Sequence, residues 1–254
     1  MSLIKEQLKN LKIIFKYYLT IRKNLSSQLK EDKIEVKKKS KTILVPLIET
    51  SHYQHFQILI LSKALQMRGA RIIIIVCDGF LDGCEIKSVK NKNYINPCFN
   101  CKFNLKKTHP FFDLNTLRIA EIIDTETKIK IKEFAKNNFL KEQIIYKDMD
   151  ITQSINDSIL RYYYGKIPQE IDALNEIKYK HTITAITSYE IARLSNIKYN
   201  PDIILNNMNV YSAWEPFYKY FKSLNKESFV ISMAAYDFNK IKVNLFEIFE
   251  SRKR

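Results

Sequence analysis

The residues best equipped for chemistry are four cysteines, Cys77, Cys84, Cys98 and Cys101, gathered in one stretch of a 254-residue chain. Their spacing is C-x6-C-x13-C-x2-C. Cys98 and Cys101 form a CxxC knuckle, a spacing that lets two thiolates reach one tetrahedral metal at about 2.3 Å. The first pair is wider than a zinc ribbon requires, so two readings stand. One is a structural zinc or other thiolate-bound metal; the other is four thiols, with Cys77 a small core residue ending a strand. His52 is the next candidate, because the loop ETSHYQH becomes a helix N-terminus there. Such a place suits an anion or general-base work, although a lone loop histidine also serves structural ends. Arg161 and the tyrosines after it, Tyr162 to Tyr164, either invite stacking or pack on a helix surface. The sequence has no GxGxxG, GxxxxGK[ST], HExxH or GxSxG, so the familiar phosphate cradles and hydrolase signatures are missing.

The elements that must position these residues read as α/β. Thr42 to Ile48 (TILVPLI) is a short apolar, β-branched run and predicts a buried strand. Tyr53 to Arg68 has helical periodicity, Gly69 stops it, and Ala70 to Val76 (ARIIIIV) is a second buried strand. Strand, helix, glycine and strand in about 35 residues make a βαβ unit, whose strands are parallel. A polar loop is expected from Cys77 to about Lys107 and helices over 114–123, 127–139, 155–164 and 169–194. PDIILN at 201–206 and FVISM at 229–233 predict further strands, with a helix at 214–224 between them and a basic helical tail over 240–254. The expected whole is a single Rossmann-like, doubly wound, mainly parallel domain over 42–254 with a helical insertion at about 125–195. Open α/β sheets bind ligands beyond the carboxyl ends of their strands, which selects the loops ETSHYQH, CDGFLDGCE and NNMNVYSAWEP.

Residues 1–41 differ in character. Leu3, Ile4, Leu8, Leu11, Ile14, Phe15, Tyr18 and Leu19 recur at helical spacing among Lys5, Lys9, Lys12, Lys16, Arg22 and Lys23. That is a basic amphipathic helix, which either lies on an anionic membrane surface or packs on the domain; a charged linker follows it. The start lacks the apolar core and cleavage site of a secretory signal, and no run reaches the roughly 20 apolar residues of a membrane span. The expected location is cytoplasmic, with peripheral attachment at the inner face of the membrane, and the cysteines are then in a reducing compartment. The net charge of +15 fits attraction to an anionic partner; it equally fits a Lys-, Ile- and Asn-rich composition with solvated lysines spread along the chain.

Several phrases in order resemble the N-terminal domain of bacterial surface-polysaccharide glycosyltransferases of the GT-B type. They are SHYQHFQILILSKALQMRGARI, VCDGFLDGCE with the later CFNC, DITQSINDSILRYYYGK, and PDIILNNMNVYSAWEPFYKYFKS. The resemblance covers about residues 42–240. It implies a domain that holds a glycan or lipid-linked sugar acceptor, with the nucleotide sugar on a second domain or a partner chain. Because the sequence ends at Arg254, where that second half would begin, a truncated or split enzyme is expected, inactive alone. Carried over by position, His52 is the candidate base and Asp78 lies beside it as a second catalytic group. Glu85 lies near the acceptor hydroxyls, and Asn206, Asn207, Tyr211, Trp214 and Glu215 line the third loop. Arg161 would pair with a phosphate of a lipid-linked acceptor. The rival expectation is a non-catalytic, zinc-stabilised module that contacts nucleic acid or a protein partner through its basic face; of these, nucleic acid fits less well.

Overall fold

The computed structural model describes residues 40–48, 54–87, 97–232 and 247–250. The expected amphipathic helix at 3–30 and the candidate base His52 therefore lie outside the described residues.

The predicted βαβ unit is present as β1 (Thr42–Leu47), α1 (Gln54–Met67) and β2 (Arg71–Val76). The two strands pair in parallel, with Leu44 opposite Ile73 and Leu47 opposite Val76. Gly69 ends α1 with φ +88°, a left-handed conformation that lacks the Cβ penalty only in glycine. Around it Gly69 N–H donates to the Gln66 carbonyl at 2.8 Å and Ala70 N–H to that of Leu65 at 3.0 Å, the paired bonds that close a helix C-terminus.

Next come α2 (Pro97–Phe112), β3 (Thr116–Arg118), α3 (Thr125–Asn138), a two-strand hairpin of β4 (Ile145–Tyr146) and β5 (Met149–Asp150), and α4 (Thr152–Tyr162). They are followed by α5 (Ile171–Tyr199), β6 (Ile203–Asn206), α6 (Tyr211–Ser223), β7 (Glu227–Ser232) and β8 (Glu247–Glu250). The main sheet runs β3-β2-β1-β6-β7-β8. Its first five strands are mutually parallel and β8 is antiparallel to β7. The architecture is α/β, mainly parallel and Rossmann-like.

Strand residues alternate between two cores, which is why the strands read as unbroken apolar runs. Leu44, Ile73, Ile75 and Ile204 face the side covered by α3 to α6, with Ile186, Trp214 and Phe217. Ile43, Val45, Ile72, Ile74 and Leu205 face the opposite side with Ile58, Leu59 and Phe112. The helices expected at about 125–195 build the first of these layers, and α5, buried almost continuously from His181 to Ala192, runs through it.

Three local expectations are corrected. Part of the stretch read as a polar loop is helix α2, in which Cys98, Cys101, Leu105, His109 and Phe112 fall at helical spacing toward the protein. Cysteine and histidine among lysines hid that stripe. The helix expected at 114–123 is instead β3 and a short turn, because Thr116–Arg118 pairs with Ile74–Val76 along an edge of β2. The basic helical tail contains β8, which covers the edge of β7 with Phe229 opposite Glu250. Both changes are tertiary pairings overriding local propensity. Among the described residues no helix is long and apolar enough to cross a membrane.

Candidate functional site

Strand order reverses between β1 and β6, since the chain builds outward from β1 through β2 and β3 and then returns to β1's other side. Such a switch point leaves a crevice at the carboxyl ends of the strands. Here the crevice has a further local cause. Pairing of β1 with β6 is confined to Ile43 with Ile203 and Leu44 with Ile204. Two residues on, Asn206 comes level with Pro46, which has no N–H to give. The ladder stops and Asn206 is left at the crevice.

Asn206 is buried, 1% exposed, and neither its Oδ1 nor its Nδ2 has a hydrogen-bond partner. It lies two residues beyond Ile204, and so on the same sheet face, where Trp214 also packs. Trp214 is 2% exposed and its indole Nε1 is likewise without a partner. Asn207 is half-buried with Oδ1 unpartnered; Glu215 binds Lys219 Nζ through Oε1 at 2.7 Å and leaves Oε2 unpartnered. Tyr211 opens α6 at φ +69°, and its ring lies under the Arg161 guanidinium at 5.3 Å.

Glu85 is buried among helices. Its Oε1 accepts from Ser158 Oγ and Ser212 Oγ, both at 2.9 Å. Ser212 N–H in turn donates to Ser158 Oγ at 2.8 Å, and His181 Nδ1 lies 2.8 Å from Ser212 Oγ. Because the Ser212 proton points to Glu85, His181 carries its own proton on Nδ1. Burial pushes the Glu85 carboxyl up to about 7, against the opposing pull of Ser158, Ser212, Arg161 and the Ala213 N–H. Burial also holds His181 down, to about 4, helped by Lys87 and Lys180. The 3.7 Å approach of His181 Nδ1 to Glu85 Oε1 is therefore a contact of neutral groups near neutral pH rather than an ion pair.

These contacts correct two assignments. Glu85 does not offer its bound oxygen to a ligand but ties the second loop to α4 and α6. Arg161 donates from Nε to the Glu85 carbonyl at 3.3 Å, anchoring the same loop from outside. Asp78, left-handed at φ +47°, meets Arg118 Nε at 3.3 Å on the rim beyond β2. Ser158, Ser212 and His181 escaped the sequence reading. They are ordinary helix residues whose partners lie 31 to 127 positions away.

All four cysteines line one cavity at the carboxyl ends of β1 and β2, together with Ile48, Gly79, Leu81, Glu85, Ala213 and Trp214. The cavity is ≈ 20 Å³, room for about one water-sized particle. Burial pushes the Cys77 thiol up, and Cys84 to about 12. Among the described residues no three His, Cys, Asp or Glu side chains stand as a closed metal-ligand set.

No protein-family model and no curated protein matches the chain. It is similar to a solved structure titled as a CDPS (cyclodipeptide synthase) from Fluoribacter dumoffii, with 13% sequence identity and a TM-score of 0.46. The match covers 73% of this chain and 85% of that one. The expectation of a glycosyltransferase acceptor domain is corrected here: that solved structure is not a sugar transferase. The physical reason lies in the residues assigned to the acceptor, of which Glu85 and Arg161 are engaged in holding the fold.

Proposed function

We propose that the chain is a ligand-binding α/β domain whose site is the crevice between the carboxyl ends of β1 and β6. Asn206 carries this reading. Burying an amide without partners costs roughly 1–3 kcal/mol by protein mutational data, so a site that keeps one needs a compensating contact. A carboxamide presents one donor and one acceptor side by side, which pairs with a planar edge of the same kind, as in amides and nucleobases. The unpartnered indole N–H of Trp214, on the same sheet face, adds a donor, and Glu215 Oε2 an acceptor. The ligand class is therefore a small neutral molecule with an amide-like edge.

Thermal-shift titration of the full chain against neutral amides and nucleobases, beside carboxylates and phosphates, tests the class. Neutral amide-edged compounds should raise the melting temperature and the anions should not. Asn206→Leu, close in volume, should raise the melting temperature of the free chain and remove the ligand-dependent rise. A free Asn206→Leu chain less stable than the parent would sink the proposal, because Asn206 would then be supporting the fold.

A further inference from the structure

We infer that Cys77, Cys84, Cys98 and Cys101 form a four-thiolate site for a single zinc ion at the carboxyl edge of the sheet. Four observations meet there. First, the thiols come from three separate elements: the end of β2, the loop after it, and the first turns of α2; yet all face one cavity. Second, that cavity is ion-sized at ≈ 20 Å³ and too small for an organic ligand.

Third, backbone donors are aimed at the sulfurs. Leu81 N–H donates to Cys77 Sγ at 3.5 Å. The N–H groups of Gly79 and Phe80 bond the same sulfur, and that of Ile86 bonds Cys84. Turns that wrap amides around a sulfur orient metal-bound thiolates and disperse their charge. A cysteine that merely fills core space has no use for three donors.

Fourth, the loop is pressed onto α2. Gly79 has φ +84°, and a Cβ there would sit 3.2 Å from Lys102 Cε and 4.0 Å from Cys98 Sγ. Only glycine lets the Cys77 turn approach the CxxC turn this closely. The approach also brings Lys102 beside the cluster, where its ammonium offsets the charge of minus two that four thiolates leave on a zinc ion.

On binding, four S–H bonds give up their protons to solvent and four Zn–S bonds form, with no change of oxidation state. The thiols are not yet a closed set, so the ion draws the side chains inward to about 2.3 Å. Zinc here fastens the second loop and α2 to the sheet next to the crevice, and its role is structural. This inference does not depend on what occupies the crevice.

The test uses the full chain, purified under reductant, stripped with chelator, and desalted after addition of zinc. About one equivalent should be retained per chain, with X-ray absorption showing sulfur neighbours at about 2.3 Å. Thiol-modifying reagent should release that zinc as four thiols react. Cobalt in its place should give the absorption of a tetrahedral thiolate complex. Cys98→Ser and Cys101→Ser should each lower retention at least several-fold, and the reagent-release stoichiometry on the unaltered chain decides the matter if either variant fails to fold. No retained zinc, or four thiols that react without releasing metal, would overturn the site. So would bound iron with inorganic sulfide, which would make it a cluster site.

Discussion

Ser212 Oγ donates to Glu85 Oε1 at 2.9 Å, joining the first turn of α6 to a loop 127 residues earlier in the chain. Ser158 Oγ meets the same oxygen at 2.9 Å and accepts from Ser212 N–H at 2.8 Å, so loop, α4 and α6 share one buried knot. Removing either hydroxyl leaves a buried acceptor short of a donor, which costs about 1–3 kcal/mol. Ser158→Ala and Ser212→Ala should each lower the urea midpoint accordingly. The two changes together should cost measurably less or more than their sum, because they share a partner. Additive losses would show that the knot is two independent bonds.

Gly83 occupies a position that no side chain fits. A Cβ there would lie 2.9 Å from both His181 Nδ1 and the Lys180 carbonyl, and 3.0 Å from His181 Cα. The close contact is with backbone of α5 and cannot be relieved by turning a side chain. It is fixed by two bonds to Thr184 Oγ1, which accepts from Gly83 N–H and donates to Gly83 O, each at 2.9 Å. Gly83→Ala should therefore destabilise by about 1–3 kcal/mol, as overpacking does. A thermal melt indistinguishable from the parent would contradict the close packing of this loop on α5.

The edge of β1 offers a milder test. Thr42 N–H donates to Asp202 Oδ2 at 2.7 Å, while Asp202 N–H returns a bond to the Thr42 carbonyl at 2.9 Å. The pair sets the register of β1 against β6 from its exposed end. Asp202→Ala removes one charge-assisted bond and should cost about 1 kcal/mol. Amide hydrogen exchange should quicken at Thr42 before it does at Leu44.

The strands β1, β2, β6 and β7 were legible because a strand covered on both faces must be apolar throughout, and ARIIIIV or PDIILN has few other readings. The loops at their carboxyl ends followed from topology alone. The Glu85 knot could not be read, since serines at 158 and 212 look like helix surface until α4 and α6 are folded against each other. Nor could α2, where cysteines occupy the inward stripe that leucines usually mark. The edge strands β3 and β8 were lost for a different reason: each exists only because a neighbour presents an open ladder. Asn206 was named through a resemblance, but its isolation depends on Pro46 in the adjoining strand, a relation visible only once β1 and β6 are in register.

Glu190 gives a prediction in which pH separates charge from packing. Its carboxylate, 1% exposed on α5, accepts from Lys147 Nζ at 2.6 Å, Tyr146 Oη at 2.8 Å and Arg193 Nε at 2.8 Å. It thereby fastens the β4–β5 hairpin to the helix layer. Burial alone would push its pKa up, but the bonds from Lys147, Tyr146 and Arg193 outweigh burial and hold it below the usual carboxylate value. A carboxyl whose folded pKa is lowered adds stability above its unfolded value, and that stability is lost as pH falls through the folded one. Lys147 and Arg193 are 47% and 30% exposed and can turn to water when the carboxylate goes, which moderates the loss. Glu190→Gln should accordingly cost about 1–3 kcal/mol at pH 7, where the native chain holds the full charge. As pH falls below about 4.5 the native carboxylate titrates too, so the gap between variant and parent should narrow. Urea midpoints of both proteins from pH 7 down to pH 3 measure the gap. A difference constant over that range would mean that Glu190 contributes shape and neutral hydrogen bonds, and that its charge adds nothing to the fold.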